Sequence, residues 1–348
     1  MYKKRKARDY VLPLRFMSYP RYLEAYKNGY LDEVIAETFH LLEQCSICPR
    51  RCKVNRIKDE QGFCKTGLKP KVCSFMPHHG EEPPISGRRG SGTIFFSCCN
   101  MACVYCQNYE FSQLGQGSDT SFQVLADFML QLQDMGCHNI NLVTPTHVMP
   151  QILKSLSLAV KGGLKLPIVY NSGGYELPEI IKLLDGVIDI YLADMRYADS
   201  ESAVKYSSAA DYPAYNQEAV KEMYRQVGTV QVDADGIIKK GLIIRHLVLP
   251  NSLSGTAKIM RFISREISQD TYISLMSQYT PYFKAQEYKE LSRRVTYNEY
   301  EEAENIMHKY GLYNGWTQDA GGLERFAGVN IKPSVSTKVV PQKIKLKR

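Results

Sequence analysis

Within residues 97–112, SCCNMACVYCQNYEFS, three cysteines are spaced Cys99-x3-Cys103-x2-Cys106, and Tyr105 stands directly before the last. Three thiolates at this spacing can hold three irons of a cubane [4Fe–4S] cluster on one short loop. The same loop offers no evident fourth ligand, so one iron would stay open to a substrate or cofactor, unlike a cluster closed by four cysteines. A zinc knuckle and plain reduced thiols are the competing readings. Zinc sites usually pair two C-x2–4-C or C/H units, and the partner unit is missing here. The rest of the chain is organised around this loop.

Ahead of it, residues 20–43 carry apolar side chains at Leu23, Tyr26, Leu31, Val34, Ile35, Phe39 and Leu42, a spacing that suits one or two amphipathic helices. A second cysteine-rich segment follows, Cys45-x2-Cys48-x3-Cys52-x11-Cys64, on a loop punctuated by Gly and Pro. Four soft ligands of this kind can close a tetrahedral zinc site or a second Fe–S cluster, and spacing does not choose between them. Cys73, in KVCSF, reads as a small core residue and the His78–His79 pair as loop polarity.

From residue 87 apolar strands alternate with amphipathic helices. Strands are expected at 93–97, 139–143, 167–170, 188–193, 242–249 and 272–276, and the main helices at 122–135, 150–160, 177–184, 254–267 and from the capping box Thr296-x2-Glu299 to Gly311. A hairpin is expected around the Asp-Gly turn in 232–238. Such alternation predicts a parallel sheet with right-handed crossovers, whose functional groups lie at the C-terminal edges of the strands. The expected organisation is a helical extension (1–44), a Cys-rich metal-binding segment (45–86), an α/β body (87–320) and a basic tail (321–348).

The net charge of +8 is unevenly placed: residues 1–8 and 332–348 hold eleven Lys or Arg, leaving 33 basic against 36 acidic side chains elsewhere. The tails are the sole support for nucleic-acid binding, and solvated chain ends are the commoner explanation of such tails, so no nucleic-acid partner is expected. No apolar run reaches the roughly 18 residues of a membrane span, nor is there the apolar core of a signal peptide. The ten cysteines are therefore read in a reducing cytoplasm, as metal or redox ligands rather than disulfides.

The cysteine loop with its aromatic residue resembles the signature of the radical S-adenosylmethionine (SAM) enzymes. CPRRCKVNR, GFCKTG, SFMPHHGEEPPISGRRGSGTIFFS, CNMACVYCQN, NLVTPTHV and RHLVLPN are similar to the uncharacterised subgroup related to pyruvate formate-lyase activating enzyme, over about residues 20–320. The resemblance implies a partial (βα)6 barrel, with a [4Fe–4S] cluster on Cys99, Cys103 and Cys106 and SAM at its open iron. SAM binding calls for acceptors for the amino and ribose hydrogens and a cation for the carboxylate. The strand ends offer Thr144, Thr146 and His147, then Ser172, then Asp194 and Arg196. Tyr105 and Gln107 would lie on the adenine side. The pattern departs from the family where Arg196 replaces a Lys, where residues 144–147 stand in place of the Gly-Gly-Glu of most members, and at Cys98, which is read as a bystander beside the first ligand.

By the same resemblance the chain would cleave SAM reductively and use a 5′-deoxyadenosyl radical to abstract hydrogen. An electron donor such as flavodoxin or ferredoxin would serve it, and a glycyl radical enzyme would be its substrate. Radical modification of a small molecule or of another protein is the alternative. A non-catalytic metal- or RNA-binding protein is the alternative of a different class. Aromatic loops SQYTPYFKAQEY and GLYNGWTQD are expected to line a lateral gap of the barrel and suit a polypeptide substrate.

Overall fold

A computed structural model describes residues 19–318. Both basic ends, and with them the tail 321–348, lie outside the described residues. The chain enters through α1 (Tyr22–Lys27) and α2 (Tyr30–His40), broken at Gly29 with φ +83°. β1 (Lys71–His78), α3 (Pro83–Ser86) and β2 (Ser91–Phe96) follow, then α4 (Tyr109–Ser112), β3 (Ser118–Asp119) and α5 (Phe122–Asp134). Next come β4 (Ile140–Val143), α6 (Met149–Lys161), β5 (Ile168–Ser172), α7 (Pro178–Leu183) and β6 (Ile190–Asp194). α8 (Ser200–Ser207) and α9 (Tyr212–Val227) fill the long connection to β7 (Gln231–Val232) and β8 (Ile238–Leu247). α10 (Thr256–Phe262), β9 (Tyr272–Met276), α11 (Tyr297–Lys309) and β10 (Gly315–Trp316) complete it.

The strands form one ten-stranded sheet in the order β10-β9-β8-β6-β5-β4-β2-β1-β3, with β7 paired only to β8. From β2 to β10 every neighbouring pair on that path is parallel, whereas β1 is antiparallel to both β2 and β3. All six strands expected from the alternation are present, and their spatial order follows the chain. β1, β3 and β10 were not expected. The first lies inside the Cys-rich segment and continues the sheet of the α/β body, so the boundary at residue 86 crosses a single sheet.

One face of the sheet is apolar and covered by helices. Ile94, Leu142 and Ile244 meet Leu125, Met129 and Leu132 of α5 and the inner side of α6 and α9 in one core. Each fully buried Leu or Met contributes roughly 1.5–3 kcal/mol. Ser121 fixes the start of α5 by accepting from the Val124 amide at 3.2 Å. On the opposite face Val169, Ile190, Leu192 and Ile243 pack with Ile85, which α3 inserts there. Because successive strand residues alternate faces, the polar residues above that small apolar plug, among them Asn141, Asn171, Asp194 and Arg245, share the face away from the main core.

Candidate functional site: the cysteine loop and the strand ends

The cysteine loop leaves β2 at the C-terminal edge of the parallel strands. Its backbone is clamped on two sides: Ala102 and Val104 donate to the carbonyls of Ser207 (3.1 Å) and Tyr206 (2.9 Å) at the end of α8, and the Lys284 amide donates to Val104 (2.8 Å). Cys98 turns the chain with φ +69°, an uncommon value for a residue with a Cβ, and its Sγ lies toward Lys65 rather than the other three cysteines.

Each of the three remaining sulfurs has a donor directed at it. The Met101 amide reaches Cys99 Sγ at 3.3 Å. Cys103 Sγ lies 2.9 Å from Ser207 Oγ and 3.6 Å from Arg196 Nη1. Cys106 Sγ lies 3.0 Å from Ser112 Oγ, which accepts from Gln113 Nε2 at 3.2 Å and so keeps its own proton for the sulfur. Burial, then the charge of Cys103, raises the Cys99 thiol well above its usual range and pushes Cys106 up to about 11. Without a metal these thiols stay protonated. With one, the donors meet the thiolate charge, as iron-bound sulfur requires. The donor set therefore fits a cluster.

Asp194, at the end of β6, is held by two guanidiniums: Arg245 Nε at 2.7 Å and Arg196 Nη2 at 2.5 Å. Burial alone would raise its pKa, but Arg245 and Arg196 more than reverse this and hold the carboxyl below its ordinary range. Arg196 Nε is buried without a partner, a donor left for a further polar group. Arg245 also donates to Asn171 Oδ1 at 2.6 Å and faces Glu81 Oε2 at 3.7 Å. Glu81 and Glu82 enter this face from the turn before α3, where burial raises both carboxyls, Glu82 to about 7.

The other expected site residues have different environments. Thr144, at φ +63°, is a β-branched residue in the left-handed region, the kind of local strain that concentrates at functional strand ends. Thr146 and Ser172 share a partner: their hydroxyls both donate to Glu176 Oε1, at 2.5 and 2.6 Å. Glu176 is fully buried, and desolvation raises it to about 7 despite these bonds. His147 lies 2.8 Å from the Ser97 carbonyl through Nε2, which must therefore carry the proton, and burial lowers its pKa to about 4. Tyr105 is buried with its hydroxyl 2.6 Å from that of Tyr197, and Gln107 is half-buried.

Cys45, Cys48, Cys52 and Cys64 line one pocket, closed by His147 and Arg56. Buried Arg56 donates to the carbonyls of His147 (2.8 Å) and Gly67 (3.1 Å) and reaches Cys45 Sγ at 3.9 Å. Arg50, from the same segment, donates to the Asn100 carbonyl at 2.9 Å, so the pocket adjoins the cysteine loop. Among the described residues no three His, Cys, Asp or Glu side chains gather as ligands of one metal ion. A cubane makes a different demand, because each thiolate takes a separate iron.

Sequence reasoning missed Ser207, Tyr197, Arg245, Glu81, Glu82 and Glu176 as site residues. The segments GEEPP and RHLVLPN were visible as matches, but neither assigns a role to its charged residues. The aromatic loops are largely packed: Tyr279 is buried and donates to the Leu291 carbonyl at 2.6 Å, Phe283 stacks on Tyr109 at 5.1 Å, and Trp316 leans on Tyr272 at 5.8 Å. Asp319, at the end of the second loop, lies outside the described residues.

The sequence matches no family model. It is 33% identical over 300 residues to an uncharacterized protein of Methanocaldococcus jannaschii, covering 83% of this chain and 82% of that protein. A radical SAM methyltransferase from Sphaerobacter thermophilus is a loose structural neighbour, with TM-score 0.45 and 13% identity over 65% of each chain. The chain thus spans just under two thirds of that structure, a likeness that by itself assigns neither family nor activity.

Proposed function

We propose that this chain, which belongs to the same family as the Methanocaldococcus jannaschii protein, is a radical SAM enzyme. The observation that carries the reading is local. Three cysteines on a loop clamped at a strand end each face a hydrogen-bond donor, and one of those donors, Arg196, keeps Nε open beside them. On this reading the sheet from β2 to β9 is a partial barrel, and the face away from the main core, which carries Asn171, Asp194 and Arg245, is the concave one. When bound, the cluster and SAM supply a single electron and a carbon-centred radical for hydrogen abstraction.

The chain's own residues bind, orient and shield. Cys99, Cys103 and Cys106 would hold three irons. Arg196, anchored by Asp194, would present Nε to a carboxylate, and Asp194 cannot swing away while Arg245 holds its other oxygen. Thr144 would meet the amino group, with Tyr105 and Gln107 on the adenine side. Thr146, Ser172 and His147 would act as positioning residues, through Glu176 and Ser97. The pocket of Cys45, Cys48, Cys52 and Cys64 would hold a second metal centre. Of zinc and Fe–S the cluster fits better, because its thiolates take separate irons and, among the described residues, no three such ligands gather on one ion.

Within this class we favour activation of a glycyl radical enzyme, with a flavodoxin or ferredoxin as electron donor. The support is the sequence similarity of the quoted segments to that branch. The cysteines stand as thiols, which suits a reducing cytoplasm, and no described helix is long and apolar enough to cross a membrane. The test is release of 5′-deoxyadenosine from SAM by the anaerobically reconstituted, dithionite-reduced protein. Turnover that rises with a candidate glycyl radical enzyme supports the subtype. Turnover that rises only with a small metabolite removes it, and no cleavage under any condition removes the class.

A further inference from the structure

A thiolate accepts hydrogen bonds and donates none. Once Cys103 is ionised, Ser207, 2.9 Å away, must give its only proton to the sulfur. Its oxygen is then left to accept, and the Tyr197 hydroxyl lies 2.7 Å from it. Tyr197 has thereby spent its own proton on Ser207, and its oxygen accepts from Tyr105 at 2.6 Å. The end group thus fixes the direction of all three bonds: Tyr105 to Tyr197 to Ser207 to Cys103. Arg196 stands at both ends, with Nη1 3.6 Å from the same sulfur and its charge acting on Tyr105.

The three hydroxyls and the sulfur lie out of water. Tyr105, Tyr197 and Ser207 are 5%, 2% and 0% exposed. Tyr105 belongs to the cysteine loop, Tyr197 follows Arg196 at the strand end, and Ser207 closes α8, whose last carbonyls clamp that loop. Hydrogen bonds in series polarise one another most where the local dielectric is low.

We infer that the Tyr105–Tyr197–Ser207 chain, together with Arg196, sets the reduction potential of the cluster through Cys103. This rests on the radical SAM reading. Reduction by one electron makes the cluster–thiolate unit more negative, so donors directed at a ligand sulfur stabilise the reduced form more than the oxidised form and raise the potential. Removing a hydroxyl from the chain lowers it, and the nearer the hydroxyl is to the sulfur, the greater the effect.

The experiment is a redox titration of the reconstituted full chain with dithionite, monitored by electron paramagnetic resonance without SAM. Wild type is compared with Ser207→Ala, Tyr197→Phe and Tyr105→Phe. All should bind wild-type iron, and the midpoint should fall in the order Ser207→Ala, then Tyr197→Phe, then Tyr105→Phe, with the first shifted most. Tyr197→Phe touches no sulfur and keeps the ring in place, so it decides the matter if Ser207→Ala loses iron. Midpoints equal to wild type in Ser207→Ala and Tyr197→Phe overturn the chain alone. A wild-type protein that takes up no cluster overturns the radical SAM reading as well.

Discussion

Asp194 and Arg245 stand opposite each other across the β6–β8 ladder, and Arg245 Nε donates to Asp194 Oδ1 at 2.7 Å. Arg196 takes the other oxygen, so a single carboxylate orients two guanidiniums, one toward the cysteine loop and one toward Glu81 and Asn171.

Replacing Arg245 by Met would leave Asp194 and Glu81 with one cation fewer in a region of little water. Truncating one partner of a buried ion pair costs about 3–5 kcal/mol. Chemical denaturation of Arg245→Met should show a loss of that order. Arg245→Lys should recover only part of it, because an ammonium cannot reach Asp194 and Asn171 together in the fork geometry. A loss within a few tenths of a kcal/mol in both variants would mean that Asp194 is held by Arg196 alone.

How far the sequence foretold this site depends on the range of the interaction. The capping box was legible because it is local: Thr296 Oγ1 accepts from the Glu299 amide at 3.3 Å, and the Glu299 carboxylate accepts from the Thr296 amide at 2.8 Å. The parallel strands were legible because their side chains are buried on both faces and read as apolar runs. β1 was not, since KVCSFMPH shows no clean alternation and is mostly half-buried. Arg245 was read only as part of a strand, because its partner lies 51 positions away. Ser172 was placed at the correct strand end, but the two-residue period of a strand puts Asn171 on the Asp194 face and sends Ser172 to Glu176.

His246 carries a pH dependence. Its Nδ1 lies 2.7 Å from the Met195 carbonyl, between Asp194 and Arg196 in sequence, and therefore holds the proton, while Nε2 accepts from Thr256 Oγ1 at 2.9 Å. Burial lowers its pKa from 6.5 to about 4. Between those values the unfolded chain binds the proton and the folded one does not, so stability is complete above pH 6.5 and falls as the pH drops toward 4. The loss is on the order of 3 kcal/mol. Denaturation of wild type and His246→Gln at several pH values should show their difference narrowing on acidification. A constant difference would place the titration elsewhere.

The pocket of Cys45, Cys48, Cys52 and Cys64 uses no residue of the cysteine loop as a wall. Changing Cys45 and Cys48 to Ala should therefore remove one metal centre by elemental analysis and leave the spectrum of the other in place. Loss of both together would mean that the Arg50–Asn100 contact makes the segment a brace for the loop.

The most direct test of the whole account is the electron paramagnetic resonance spectrum of the reduced protein with and without SAM. A [4Fe–4S]+ signal whose g-values change when SAM is added is expected, as is loss of that SAM-responsive signal in Cys103→Ala. Zinc without iron, a spectrum indifferent to SAM, or an undiminished SAM-responsive signal in Cys103→Ala would contradict it.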